Sequence, residues 1–152
     1  MMERVLISSC LLGLKTRFDG KDSFDTLLTG IEKRYILIPV CPELLGGLSV
    51  PREQATIEKK DGCGFWEENI PVVLEVGKDI SQSFRKGALL TLDFARFLNV
   101  KRIILKDGSP SCGVFTTNSS FKKIRGIGVT AYLLKKHGFL IDTIESFLES
   151  NF

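Results

Sequence analysis

The sequence predicts an α/β protein: a single domain over 1–152 built on a mostly parallel sheet covered by helices, with one long irregular excursion near 48–69. Three observations predict it. Short continuous apolar runs, Val5-Leu6-Ile7, Tyr35-Ile36-Leu37-Ile38-Pro39-Val40 and Ile103-Ile104-Leu105, have the pattern of strands buried on both faces. Between them lie stretches of helical periodicity, and strands that alternate with helices are joined by crossovers into a parallel sheet. The 152 residues, 43% hydrophobic and 26% charged, supply one full core and argue against disorder. A Rossmann-like arrangement of three layers follows.

Taken in order, Val5-Leu6-Ile7 is a first strand that stops at Ser8-Ser9-Cys10, and Gly13 turns the chain away. Asp22 or Ser23 caps a predicted helix to about Glu32, with Phe24, Leu27, Leu28 and Ile31 on one face. The second strand, Tyr35 to Val40, runs into Cys41-Pro42-Glu43. From Leu48 to Asn69 the periodicity dissolves around Pro51-Arg52 and Asp61-Gly62-Cys63-Gly64, and so long an irregular stretch is expected to cover a site. Pro71 to Val76 reads as another strand. Asp79 and Gln82 form a capping box for a helix over 81–98, whose inner face carries Phe84, Ala88, Leu92, Ala95 and Leu98.

A strand at 101–106 then delivers Asp107-Gly108-Ser109-Pro110-Ser111-Cys112-Gly113. Residues 116–123 are polar and turn-rich. Gly126-Ile127-Gly128 opens a helix over Val129, Tyr132, Leu133 and Lys136, closed by Gly138, and its glycines are candidates to cradle an anion. A strand at 139–141 and a helix from Asp142 or Thr143 to about Ser150 complete the chain, which has no internal repeat.

The net charge of +3, spread along the chain, gives little reason to expect a polyanion, so nucleic acid is an unlikely partner. The start, Met1-Met2-Glu3-Arg4, lacks the apolar region of a signal peptide, and no apolar run reaches the roughly 20 residues of a membrane span. The expected location is the cytoplasm. There, four cysteines are more naturally thiols, nucleophiles or metal ligands than disulfides.

In a parallel sheet with right-handed crossovers the carboxyl ends of the strands share one edge, where ligands bind. Cys10, Cys41 and Cys112 each follow a predicted strand, so all three converge there. Three thiolates at an exposed edge suit a zinc ion with an open position or an iron-sulfur cluster with one iron lacking a protein ligand. A single cysteine would more simply be a small core hydrophobe; the shared placement favours a site. Cys63 follows no strand and stays outside the set. Glu43 is the best placed carboxylate for acid or base work, and Ser109 for handling a proton beside Cys112, although each residue type is also ordinary in a loop or turn. Arg17, Asp19 and Arg52 are candidate substrate contacts.

These residues sit in motifs. Ser9-Cys10-Leu11-Leu12-Gly13 with Arg17-Phe18-Asp19-Gly20, then Cys41-Pro42-Glu43-Leu44-Leu45-Gly46-Gly47-Leu48 with Pro51-Arg52, then Ser109-Pro110-Ser111-Cys112-Gly113 and Gly126-Ile127-Gly128-Val129-Thr130-Ala131 follow one another over nearly the whole chain. Together they resemble the domain of unknown function 523 family, which includes thiouracil desulfidases. The resemblance implies an oxygen-sensitive [4Fe-4S] cluster on Cys10, Cys41 and Cys112, assisted by Glu43 and Ser109. It also implies hydrolytic, non-redox removal of sulfur from a thiolated nucleobase such as 2-thiouracil, with iron as Lewis acid. The chain departs from the family pattern at Thr16, where a cysteine is common, at Asp107-Gly108, at Thr56, where a glutamate is expected, and at 116–120, which lacks a Tyr-Asp-Gly turn. Those departures concern which base fits.

Two other readings start from the same cysteines. Cys112 is a nucleophile if His137, the single histidine, serves as its base. Alternatively the chain is a metal or iron-sulfur binding module without turnover. A cluster enzyme further implies cluster-loading machinery as a partner, and oligomeric state has no signature in the sequence.

Overall fold

The computed structural model describes residues 1–150. In chain order the regular elements are β1 (Glu3–Ser8), β2 (Tyr35–Val40), α1 (Pro42–Leu45), β3 (Ala55–Ile57), α2 (Gly62–Glu68), β4 (Val72–Leu74), α3 (Ser81–Leu98), β5 (Arg102–Ile104), β6 (Thr116–Ser119), β7 (Lys122–Arg125), α4 (Val129–Lys136), β8 (Leu140–Asp142) and α5 (Ile144–Ser150). Four of the strands form a parallel sheet in the order β2-β1-β5-β8. β1 lies inside it, and Val5, Leu6 and Ile7 are fully buried, which is why that run is continuously apolar.

The pleat sends alternate residues to opposite faces. Leu6, Ile103 and Leu105 pack with Phe84, Ala88, Leu92 and Ala95 of α3 and with Val129 and Leu133 of α4. Val5, Ile7 and Ile104 pack on the other face with Leu11, Leu28 and Ile31 and with Ile144 and Phe147 of α5. This is the three-layer α/β arrangement expected. α3 begins and ends where the periodicity places it, but Ile80 holds the N-cap position with no side-chain cap bond, so in place of the expected Asp79–Gln82 capping box Asp79 Oδ1 accepts the Ser81 N–H at 2.8 Å.

A second, mixed sheet in the order β4-β3-β6-β7 joins the first, and only its β3–β6 pair is parallel. It overturns two expectations. The excursion at 48–69 contains β3 and α2, too short for a period to register: β3 has three residues, all buried, and α2 carries Gly62 and Gly64. The polar segment 116–123 is the β6–β7 hairpin. Its turn uses Ser120 and Phe121 at φ 50° and 61°, left-handed positions usually betrayed by Asn or Gly.

The helix expected between Asp22 and Glu32 is replaced by two 3-10 turns, Thr26–Leu28 and Ile31–Lys33. Asp22 Oδ1 accepts the Phe24 N–H and Asp25 Oδ1 the Leu27 N–H, each at 2.9 Å, so side chains take donors a helix would use. Gly30, at φ 93°, separates the turns, and Phe24 and Leu27 stay about half exposed.

Candidate active site

The carboxyl ends of β1, β2 and β5 open into a cavity of about 260 Å³, closed on its far side by the second sheet. Cys10 follows β1, Cys41 ends β2 and begins α1, and Cys112 hangs from the loop beyond β5; all three line the cavity. None is in a disulfide. Burial raises the Cys10 and Cys41 thiols above their ordinary range, and Cys41 pushes Cys10 up further. Burial drives Cys112 to about 12; its Ser111 hydroxyl neighbour opposes this, while Cys41 and Cys10 add to it. Two half-buried thiols and one buried one, with the charge of Cys41 acting on both Cys10 and Cys112, form a donor set that a cationic centre would ionise.

Among the described residues no three Cys, His, Asp or Glu side chains converge on a position for one metal ion. The three thiols line one cavity, a placement that suits a polynuclear core in which each thiolate takes its own iron.

Glu43, in the single turn of α1, faces the same cavity. Its Oε1 accepts Arg52 Nε at 3.2 Å, and the two side chains are 16% and 8% exposed. Burial pushes the Glu43 carboxyl up, and the Arg52 guanidinium restrains the rise. Arg52, a candidate substrate contact, lines the cavity and is also tied to the protein: Nη2 donates to the Thr16 carbonyl at 3.0 Å and Nη1 to that of Ser49 at 3.1 Å. Its backbone N–H holds Phe18 O, and Ser9 Oγ lies 2.6 Å from Thr16 Oγ1, so the segment 14–20 is laced across the cavity. Arg17 lines the cavity but pairs with Asp19 at 3.0 Å and Ser23 at 3.1 Å. Asp19 is not among the lining residues and accepts the Lys21 N–H with its other oxygen.

Ser109 Oγ accepts the N–H groups of Ser111 and Cys112 at 3.0 and 3.2 Å, shaping the turn that presents the thiol. Two acceptances leave its own hydroxyl proton as a donor. One Asp107 oxygen anchors the same loop by accepting the N–H groups of Val114, Phe115 and Thr116 at 2.8, 3.0 and 3.0 Å. Burial opposes ionisation of Asp107, but these donors hold its carboxyl below the usual range.

Two expectations, the glycine cradle and the His137 base, find no support in this geometry, while Cys63 lies outside the cavity as expected. The N–H groups of Gly126, Ile127 and Gly128 go to Phe115 O, Asp61 Oδ2 and Gly113 O, so they cradle no anion. Gly128 is required for packing instead: a Cβ there would lie 2.5 Å from Ser111 O and 2.7 Å from Gly113 N. His137, at the far end of α4, accepts from Arg96 on Nδ1 at 3.0 Å and does not line the cavity, leaving Cys112 without an imidazole base. Cys63 lies on α2 against a separate depression with Tyr132 and Lys136.

Sequence reasoning missed Lys106 and Asn118, both in the cavity wall. Lys106 follows β5 directly, and the strand-end argument that selected the cysteines would have found it. Asn118 gave no signal, because its hairpin gave none.

A family model for 2-thiouracil desulfurase matches residues 5–146. An uncharacterized protein of Bacillus subtilis (strain 168), YbbK, is 39% identical over 140 residues, covering 90% of this chain and 93% of its own. A solved structure of the [4Fe-4S]-dependent thiouracil desulfidase TudS superposes with a TM-score of 0.80 at 33% identity, covering 97% of this chain and 94% of that one. With its strand-end thiols gathered at one cavity, the chain belongs to the 2-thiouracil desulfurase family.

Proposed function

We propose that the cavity is the active site of an iron-sulfur-dependent desulfidase acting on a thiolated nucleobase such as 2-thiouracil. Thiocarbonyl plus water becomes carbonyl plus hydrogen sulfide, a hydrolysis with no net electron transfer. The observation that carries this reading is the placement of three strand-end thiols around one cavity that also holds the Glu43–Arg52 pair and Ser109.

Cys10, Cys41 and Cys112 would hold a [4Fe-4S] cluster, which would supply Lewis-acid activation of the thiocarbonyl sulfur. Glu43 Oε1 is engaged by Arg52, which leaves Oε2 to take a proton from the water that attacks the ring carbon and to return it to the departing sulfur. Burial of Glu43 brings its proton affinity closer to that task. Ser109, with two N–H groups on its oxygen, directs its own proton at the ring or its sulfur. The segment 14–20, tied to Arg52, limits the water that reaches them.

Residues 1–152 act as one domain in this reading. The protein works in the cytoplasm, where thiols stay reduced and cluster-loading machinery is at hand. No helix among the described residues is long and apolar enough to cross a membrane.

The test is anaerobic reconstitution with iron and sulfide, followed by addition of 2-thiouracil. The expected result is a broad visible sulfur-to-iron band, roughly four irons per chain, and uracil released with equimolar sulfide. Glu43→Gln and Ser109→Ala each lower kcat by about 100-fold or more while keeping iron. A colourless protein, or full turnover by Cys112→Ser, would overturn the assignment.

A further inference from the structure

The cavity wall facing the thiols carries a hydrogen-bond reader whose polarity the fold fixes. Asn118 projects from β6, in the strand that lies on the catalytic loop: the hydroxyl of the preceding residue, Thr117, donates to Ser109 O at 2.9 Å. The β3–β6 register, Ile57 opposite Ser119, sets Thr56 beside Asn118. Thr56 is 1% exposed, and its Oγ1 accepts the Phe121 N–H at 2.8 Å. A backbone N–H can only donate, so the Thr56 proton must go elsewhere, and Asn118 Oδ1 receives it at 2.5 Å. The other amide orientation would leave a buried hydroxyl proton without an acceptor. The oxygen of Asn118 is therefore taken, and its NH₂ group, with no protein acceptor among the described residues, is the part left for the cavity.

We propose that Asn118 is a specificity-determining residue, with its locked NH₂ donating to an exocyclic carbonyl oxygen of the thiopyrimidine. The inference rests on the desulfidase reading and narrows it. A ring whose sulfur lies at the thiols turns another edge to the second sheet, and the donor there accepts a carbonyl and rejects an amino group. The preferred class is oxo-thiopyrimidine over amino-thiopyrimidine. Thr56 is the positioning residue, since its buried hydroxyl prevents the amide from flipping to suit either ring.

The experiment compares 2-thiouracil with 2-thiocytosine, which differ in carbonyl against amino at C4 and, with it, in a protonated against a bare N3, on the reconstituted protein, so the preference is assigned to Asn118 only by how its variants move it. It also measures binding of the products, uracil against cytosine, by titration calorimetry, a readout independent of turnover. Wild type is expected to favour the carbonyl partner by about tenfold to hundredfold in kcat/KM and in Kd, the effect of one misread hydrogen bond. Asn118→Asp, which replaces a donor with an acceptor, abolishes or reverses both ratios; Thr56→Val, which frees the amide to flip, lowers both towards unity. Should Asn118→Asp fail to fold, Thr56→Val and Asn118→Ala carry the same comparison. Ratios in the variants within twofold of wild type, or a wild type with no preference, overturn the inference. Turnover of thiouracil with unmoved ratios sinks Asn118 alone. Absence of all turnover with the uracil preference intact and moved by Asn118→Asp sinks the desulfidase reading and leaves the reader standing.

Discussion

Arg52 gives three directed bonds to Glu43, Thr16 and Ser49, so it fixes the proposed acid-base carboxylate and the covering segment together. Arg52→Ala leaves Glu43 buried without its partner; kcat/KM is expected to fall by about 10- to 100-fold and the urea midpoint to drop, as breaking a partly buried pair does. Arg52→Lys keeps the charge without the fork geometry and should recover only part of either loss. Asp107 supplies a pH-dependent counterpart. Its folded-state pKa lies below the unfolded value, so its contribution to stability is present above that value and disappears as pH falls through the folded one. The stability gap between wild type and Asp107→Asn, from urea unfolding at a series of pH values, should be largest near neutrality and close below 3.8, the ordinary value for the group. Both residues were visible as charges in loops; neither partner was, because Arg52 reaches Thr16 across 36 positions of sequence.

Helix α3 is legible from its periodicity, yet Gly87 near its middle contradicts helix propensity, which favours alanine by about 1 kcal/mol. The contact with α1 explains it: a Cβ on Gly87 would lie 2.0 Å from Pro42 O, and one on Gly46 would lie 2.1 Å from Ser83 O. Close approach of these helices places Cys41 and Glu43 at the cavity. Gly87→Ala is therefore expected to destabilise the fold by about 1–3 kcal/mol, as overpacking does, and to reduce iron uptake. Gln82→Ala, on the exposed face of the same helix, should do neither; a Gly87→Ala protein as stable as wild type would refute the packing argument. Elements with a long period were readable in this way. The 3-10 turns and the β6–β7 hairpin were not, since side-chain capping and non-glycine left-handed residues decided them.

The proposed ligands come from the ends of β1 and β2 and from the loop beyond β5, and only the assembled sheet brings them to one cavity. A centre bound there is bound by the native state alone, so cluster loading is expected to raise Tm and chelation to return it. At this size about 1 kcal/mol corresponds to roughly 2–4 °C, so a shift of several degrees should be visible by calorimetry. Cys63→Ser should keep both the shift and the turnover, since Cys63 lies outside the cavity lining. Loss of the shift in that variant would count against the assignment of the three ligands.

Local pattern determined the parallel sheet: apolar runs fix where strands lie, helical stretches between them force crossovers, and crossovers put every strand's carboxyl end on one edge. From that rule alone Cys10, Cys41 and Cys112 share a side of the molecule. Tertiary structure decided what surrounds them. The Glu43–Arg52 pair, the segment 14–20 across the opening and the Thr56–Asn118 wall are hydrogen-bonded meetings of residues distant in sequence. Hydrogen bonds of that kind follow no period, so the packed chain alone specifies them.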